Sequence, residues 1–133
     1  MIKEKSCGAV VINNKNEVLL VKHNAGHISF PKGHMEKGET EIETAYREVL
    51  EETGIKINID DNVRFVNTYS PKENVIKDVV FFKGIPISNN IEAQLEEVSE
   101  VFFIGVEKAF DLITYEDDKE ILRKIMGSDF DEC

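Results

Sequence analysis

Cysteine is scarce in this chain, and the two present do not make a disulfide framework. Cys7 stands in an apolar run and Cys133 ends a polar tail; neither has a second Cys or a His at zinc-site spacing. The expectation is a buried thiol and a terminal one. Long apolar runs are also missing: nothing approaches the ~20 residues that a membrane-spanning helix needs. The opening residues, Met1 to Ser6, are charged at once and carry no apolar signal segment, which points to the cytoplasm. Basic residues are few, 16 Lys and Arg against 26 Asp and Glu, for a net charge of −10. Polyanion affinity comes mostly from Lys and Arg neutralising phosphate. A DNA-binding face is therefore excluded, and an RNA 5′ end is disfavoured as a partner. There is no internal repeat, low-complexity tract or linker.

What remains is a chain of 133 residues, 41% hydrophobic and 32% charged, the profile of one soluble globular domain over 1–133. Folding at this length removes roughly two-thirds of the extended chain's surface from water. Ser6–Ile12 and Glu17–Lys22 read as strands joined by the Asn13–Asn16 turn, since asparagine tolerates the positive φ of a tight turn. Residues 24–38, with Gly26, Pro31, Gly33 and Gly38, read as a long loop with a short extended piece at 28–30. Further strands are predicted over 63–69, 75–85 and 101–104, helices over 106–113 and 117–126, and a loose tail over 127–133. The order suggests a mixed α/β sandwich.

The most informative segment is a helix predicted over Thr40–Thr53. Thr40 and Glu43 supply a T-x-x-E capping box, and Gly54 stands at the stop. Ile42, Ala45, Tyr46, Val49 and Leu50 form one apolar stripe, while Glu41, Thr44, Glu48, Glu51 and Glu52 gather on another face. Like charges three and four residues apart repel, and Glu51 and Glu52 lie at the negative end of the helix dipole. From Gly33 to Ile55 seven acids face only Lys37 and Arg47, a balance of −5, half the net charge of the chain. A solvated face would tolerate lysines at i+4. A divalent cation held by carboxylate oxygens explains the clustering better, and all-oxygen ligation suits Mg²⁺ or Mn²⁺. Arg47 is placed to orient a carboxylate bidentately.

These residues resemble a known family. Gly33, Glu39, Arg47, Glu48, Val49, Glu51, Glu52, Gly54 and Ile55 meet all nine specified positions of the Nudix box, G-x5-E-x7-R-E-U-x-E-E-x-G-U with U aliphatic. The resemblance implies a Nudix-type α/β/α sandwich with a mixed sheet. It also implies a metal-dependent hydrolase of nucleoside diphosphates linked to another moiety. By the same resemblance Glu48, Glu51 and Glu52 hold metal, joined by the backbone carbonyl of Lys32 and by Glu97 from the run Glu96–Glu100. Glu96 and Glu100 are the alternatives to Glu97. Glu48 is the preferred base with Glu51 next, Glu39 the supporting carboxylate and Arg47 the orienting arginine.

For the substrate, Phe30-Pro31-Lys32-Gly33-His34 and the late Tyr115–Glu120 resemble the small asymmetric dinucleoside-tetraphosphate hydrolases. That likeness implies a small nucleotide as partner, with Tyr69 stacking a base and Lys32, His34 and Lys83 meeting phosphates. The members compared often carry a Trp before the Phe-Pro-Lys-Gly run, and this chain has none. Tyr69 and Pro71 are both present, so the marker that separates subgroups by one or the other does not decide. Nucleoside triphosphates, ADP-sugars and capped RNA ends are the alternative substrates. A catalytically silent nucleotide-binding module is the non-enzyme alternative, whose usual mark, lost box carboxylates, is missing here.

Overall fold

A computed structural model describes residues 1–92 and 96–127. Cys133 and the predicted tail beyond Gly127 lie outside the described residues. The elements are β1 (Ile2–Val11), β2 (Glu17–His23), β3 (Ile28–Ser29), β4 (Lys32–His34), α1 (Glu41–Thr53), β5 (Ile57–Lys72), β6 (Val75–Pro86), β7 (Val98–Gly105), α2 (Val106–Leu112) and α3 (Glu116–Met126). The asparagine turn forms as predicted. Asn16 sits at φ 60°, and the Asn13 side chain accepts from the Lys15 and Glu17 amides at 3.0 Å each.

Two sheets result. One is mixed, in the order β4-β1-β6-β5, with β1 and β6 parallel and the other pairs antiparallel; the second is antiparallel, β3-β2-β7. β1 and β2 alternate their buried side chains between two cores. Val10, Val18, Leu20, Phe30 and Phe81 pack with Val106, Ala109, Ile121 and Leu122 of α2 and α3. Ala9, Val11 and Leu19 pack instead with Val49 of α1 and with Ile55 and Ile57. The strands thus lie between α1 on one side and α2 with α3 on the other, an α/β/α sandwich with a mixed sheet. Cys7 is buried beneath α1 against Ala45 and Val80, a free thiol pushed up to about 11 by burial. Among the described residues no helix is long and apolar enough to cross a membrane.

Three expectations are corrected. The segment read as loop holds β4, an edge strand after Pro31 that pairs with β1 through backbone groups and needs no β-branched side chain. β5 begins six residues before the predicted start at Val63, and register shifts at Asp60/Arg64 and Tyr69/Lys72 break the alternation that would have revealed it. The buried seam of α1 is also rotated. Thr44, Ala45, Val49, Glu52 and Thr53 are buried, whereas Tyr46 and Leu50 stay 40% and 45% exposed. The rotation carries one acid, Glu52, inward.

Candidate active site

The helix that presents the acids is well defined at both ends. Thr40 Oγ1 accepts from the Glu43 amide at 3.1 Å and the Glu43 carboxylate accepts from the Thr40 amide at 2.9 Å, closing the capping box. Gly54 ends the helix at φ 77°, a left-handed conformation that favours glycine.

Arg47 organises the acidic face. Its Nε and Nη2 donate to the two oxygens of Glu39 at 2.7 and 2.9 Å. Nη2 also reaches the His34 carbonyl at 2.9 Å, while Nη1 donates to Glu48 at 2.6 Å and Glu51 at 3.2 Å. Glu39 further accepts from the Glu36 amide and Thr44 Oγ1, both at 2.9 Å. The Arg47 guanidinium holds the Glu39 carboxyl down at about 2. One guanidinium therefore ties β4, the loop after it and two helix carboxylates into one rigid set. Glu41 has turned away from this group: Arg64 grips it at 2.8 and 2.9 Å and Lys5 at 2.8 Å, fastening the first turn of α1 to β5 and β1.

Glu52 is 5% exposed and accepts the Lys32 amide at 2.7 Å. Burial pushes its carboxyl up to about 7, with Glu48 and Glu97 adding repulsion. Burial also raises Glu48, against the pull of Arg47. A Cβ at Gly33 would collide with the Glu48 carboxylate, so only glycine lets that group lie against β4. Among the described residues no three carboxylates or imidazoles close into a ready-made cage, since Arg47 draws Glu48 and Glu51 to itself. Still, the donor set fits a hard divalent cation. Glu48 and Glu52 are desolvated acids that repel each other, and Glu51 is exposed beside them. Glu97, distant in sequence, lies close enough to raise the Glu52 carboxyl.

Beside this face is a cavity of about 360 Å³, in the size range of small-molecule sites. Its lining comes from His27, Ser29 and Lys32 on the β3–β4 side, Asn67 and Tyr69 of β5, and Val79 of β6. Tyr115, Asp117 and Asp118 complete it at the start of α3. Tyr69 and Tyr115 are 43% and 54% exposed. Tyr69 is raised by burial and, next, by Tyr115 and Asp118. His27 stacks on His23 at 4.1 Å between ring centroids and tilts toward Tyr115 at 6.0 Å. Burial, then the neighbouring His27 and Lys32, lowers His23 to about 4.

The structure thus brings Glu39, Arg47, Glu48 and Glu51 into one network, sets Glu52 and Glu97 beside it, and joins Lys32 and Tyr69 in the cavity. His34 does not line that cavity; its backbone carbonyl serves Arg47. Lys83 does not line it either. It lies four residues beyond Val79 on β6, ~13 Å along a strand, opposite Asp60. Tyr115, Asn67, His27, Ser29, Asp117 and Asp118 were not foreseen as site residues. Tyr115, Asp117 and Asp118 stand in the late segment that carries the resemblance to the tetraphosphate hydrolases, and the i, i+2 spacing of Asn67 and Tyr69 on one strand face is a local signal for Asn67.

Comparison with known proteins adds to this geometry. The family model described as NUDIX domain matches residues 3–125. The bis(5′-nucleosyl)-tetraphosphatase (asymmetrical) of Mus musculus is 28% identical over 135 residues, spanning 90% of this chain and 91% of the relative. The 8-oxo-(d)GTP phosphatase of Mycolicibacterium smegmatis is 32% identical over 98 residues, 74% of this chain and 30% of the relative. Among solved structures, a C. elegans Ap4A hydrolase binary complex superposes with a TM-score of 0.83 at 24% identity, covering 97% of this chain and 98% of that one.

Proposed function

This chain belongs to the Nudix family, a hydrolase acting on phosphoric anhydride bonds, and from that premise we propose that it cleaves dinucleoside polyphosphates asymmetrically, with Mg²⁺ as the working cation. The observation that carries the proposal is the double engagement of Lys32. Its backbone amide holds the buried Glu52 carboxylate at 2.7 Å while the residue also lines the cavity with Tyr69 and Tyr115. A phosphate chain running past Lys32 would put its base among the tyrosines and one phosphorus over the acids of α1. The full-length likeness to the asymmetrical tetraphosphatase of mouse, at 28% identity, supports the same substrate class.

Glu48, Glu51 and Glu52 would hold the cation, with the Lys32 carbonyl and Glu97 as further ligands. When bound, a divalent cation neutralises phosphate oxygens and lowers the pKa of water. The remaining work falls to the chain. Glu48, raised by its surroundings and aimed by Arg47, accepts the proton of the attacking water, with Glu51 as the next choice. Glu39 holds Arg47 and does not meet substrate. Lys32 neutralises the phosphate chain and holds it in register. Tyr69 stacks the base, as an aromatic face does for any nucleobase.

The test is product analysis by chromatography after incubating diadenosine tetraphosphate with the enzyme and Mg²⁺. The expected outcome is ATP and AMP in equal amounts, abolished by EDTA. Two ADP molecules would overturn the asymmetric register. Preferred cleavage of nucleoside triphosphates or ADP-ribose in competition would move the substrate class and leave the acid chemistry in place.

A further inference from the structure

Two carboxylates are buried among the described residues, Glu52 and Asp118, and only one of them has a protein partner. Glu52 takes the Lys32 amide. Asp118 is 7% exposed and lines the cavity, yet its side chain accepts no hydrogen bond and enters no ion pair among the described residues. Its position offers an obvious local role, which it does not play. Asp118 is the third residue of α3, where an acid reaches back to cap the helix, but α3 has no side-chain cap hydrogen bond. Among the described residues no fully occluded side-chain oxygen lacks a partner, so the Asp118 carboxylate opens onto the cavity, where Lys32 attracts it without forming an ion pair. Its lack of a hydrogen-bonding protein partner there needs a reason outside the packing.

Its surroundings supply one. Val79 is apolar and almost fully buried, and Asn67 next to it in the cavity wall also makes no side-chain hydrogen bond among the described residues. Asp118 is close enough to Tyr69 to raise the phenol, so the acid and the stacking ring face one space. A flat heteroaromatic ring lying against Tyr69 would turn its polar edge toward Asp118. An ionised carboxylate only accepts. It therefore rewards an N–H and repels a carbonyl or bare ring nitrogen in the same place.

Building on the reading of the cavity as the nucleotide site, we propose that Asp118 selects the nucleobase by accepting a hydrogen bond from its exocyclic amino group, so that adenine is preferred over the same purine ring without that group. Asp118 is then a specificity-determining residue, remote from the reacting phosphorus. The site discriminates because a ligand lacking the donor leaves the carboxylate buried and unpaired.

The test compares kcat/KM for diadenosine tetraphosphate with that for the analogue carrying purine riboside in place of adenosine. The wild type should lose roughly tenfold or more on the analogue, the usual scale for a hydrogen bond to a charged group. In Asp118→Ala the ratio between the two substrates should collapse toward one, while the melting temperature stays at or above wild type, because an unpaired buried acid has been removed. Asp118→Asn, which keeps the shape and one acceptor oxygen, should give an intermediate ratio and serves if the alanine variant does not fold. Equal cleavage of both substrates by the wild type overturns the proposal. So does a preserved ratio in Asp118→Ala with a lowered melting temperature, which would make Asp118 structural. Failure to cleave either substrate would instead bring down the hydrolase site itself, and this inference with it.

Discussion

The acidic face of α1 and the neighbouring cavity are built on opposite plans. On the face, charge is answered from within. Glu39, Glu48 and Glu51 all meet Arg47, Glu52 meets the Lys32 amide, and the whole network comes from residues 34 to 52 plus one strand amide. In the cavity, groups from the β3–β4 side, β5, β6 and the start of α3 converge from 27 to 118, and among the described residues Asn67 and Asp118 make no side-chain hydrogen bond. A network that satisfies itself is rigid before any ligand arrives, which suits chemistry that tolerates little misplacement. Polar groups left without partners are poised for a ligand instead, which suits recognition. Damage to the first should therefore appear in kcat, and damage to the second in KM and in substrate preference.

The largest losses are expected on the acidic face. Glu48→Gln should cost roughly 10²–10⁴ in kcat, the usual worth of a general base. Glu51→Gln or Glu52→Gln should also cost orders of magnitude, with the fold intact because each removes a like-charge neighbour. Single-turnover rates with circular dichroism as a fold check would measure this; wild-type rates in both Glu51→Gln and Glu52→Gln would refute the cation assignment. Arg47→Lys comes next, on the order of 10² in kcat. A lysine keeps the charge but cannot reach Glu39, Glu48 and the His34 carbonyl together. If Arg47→Lys is as active as wild type, the guanidinium is not what aims Glu48.

Smaller effects belong to the cavity. Tyr69→Ala should raise KM about tenfold with little change in kcat, since stacking on an aromatic is worth ~1–3 kcal/mol per base. Lys32→Ala should weaken diadenosine tetraphosphate more than ADP-ribose, because the longer chain has more phosphate charge to neutralise. A fall confined to kcat in Tyr69→Ala would contradict the division of labour between the two regions.

The same contrast explains what could be read from sequence. Thr40, Glu43, Gly54, Arg47 and the glutamates of α1 act within one helix and its approach, so spacing alone placed them. Glu52 shows where local reasoning stops. It was grouped with the acids, but its burial follows from how α1 packs against β4, a strand formed by backbone pairing that side chains do not announce. Tyr115 and Asp118 reach the cavity only because α3 folds back beside β5 and β3, with the Thr114 hydroxyl accepting from the Ile28 amide at 2.8 Å. No local period encodes a meeting between residues 27 and 118. Lys83 was chosen for its charge, and strand geometry carried it away from the cavity.

The smallest effect, a few degrees in melting temperature, tests both regions at once through pH. Glu52 stands at about 7 against an ordinary 4.5, and Asp118 at about 6 against 3.8. Both bind a proton more tightly folded than unfolded, so their stabilisation is complete below the ordinary carboxylate range and is lost as pH rises through 6 to 7. Glu39 and Glu41, each held at about 2, act in the opposite sense: their contribution is present above 4.5 and is lost as pH falls toward 2. Without metal, the melting temperature should therefore decline from about pH 5 to about pH 8, less steeply below about 6.5, where the lowered His23 and His27 add stability as pH rises. Mg²⁺ should offset the part due to Glu52, because a cation binds the carboxylate and competes with its proton, stabilising the fold by mass action. The rise with Mg²⁺ should be larger at about pH 8 than at about pH 5. It should leave untouched the part due to Asp118, which Asp118→Ala should remove by flattening the metal-free slope. Calorimetry of the wild type and this variant, each with and without Mg²⁺ at the two pH values, separates the contributions. Equal Mg²⁺ shifts at both pH values would mean that cation binding does not draw on the buried acid of α1.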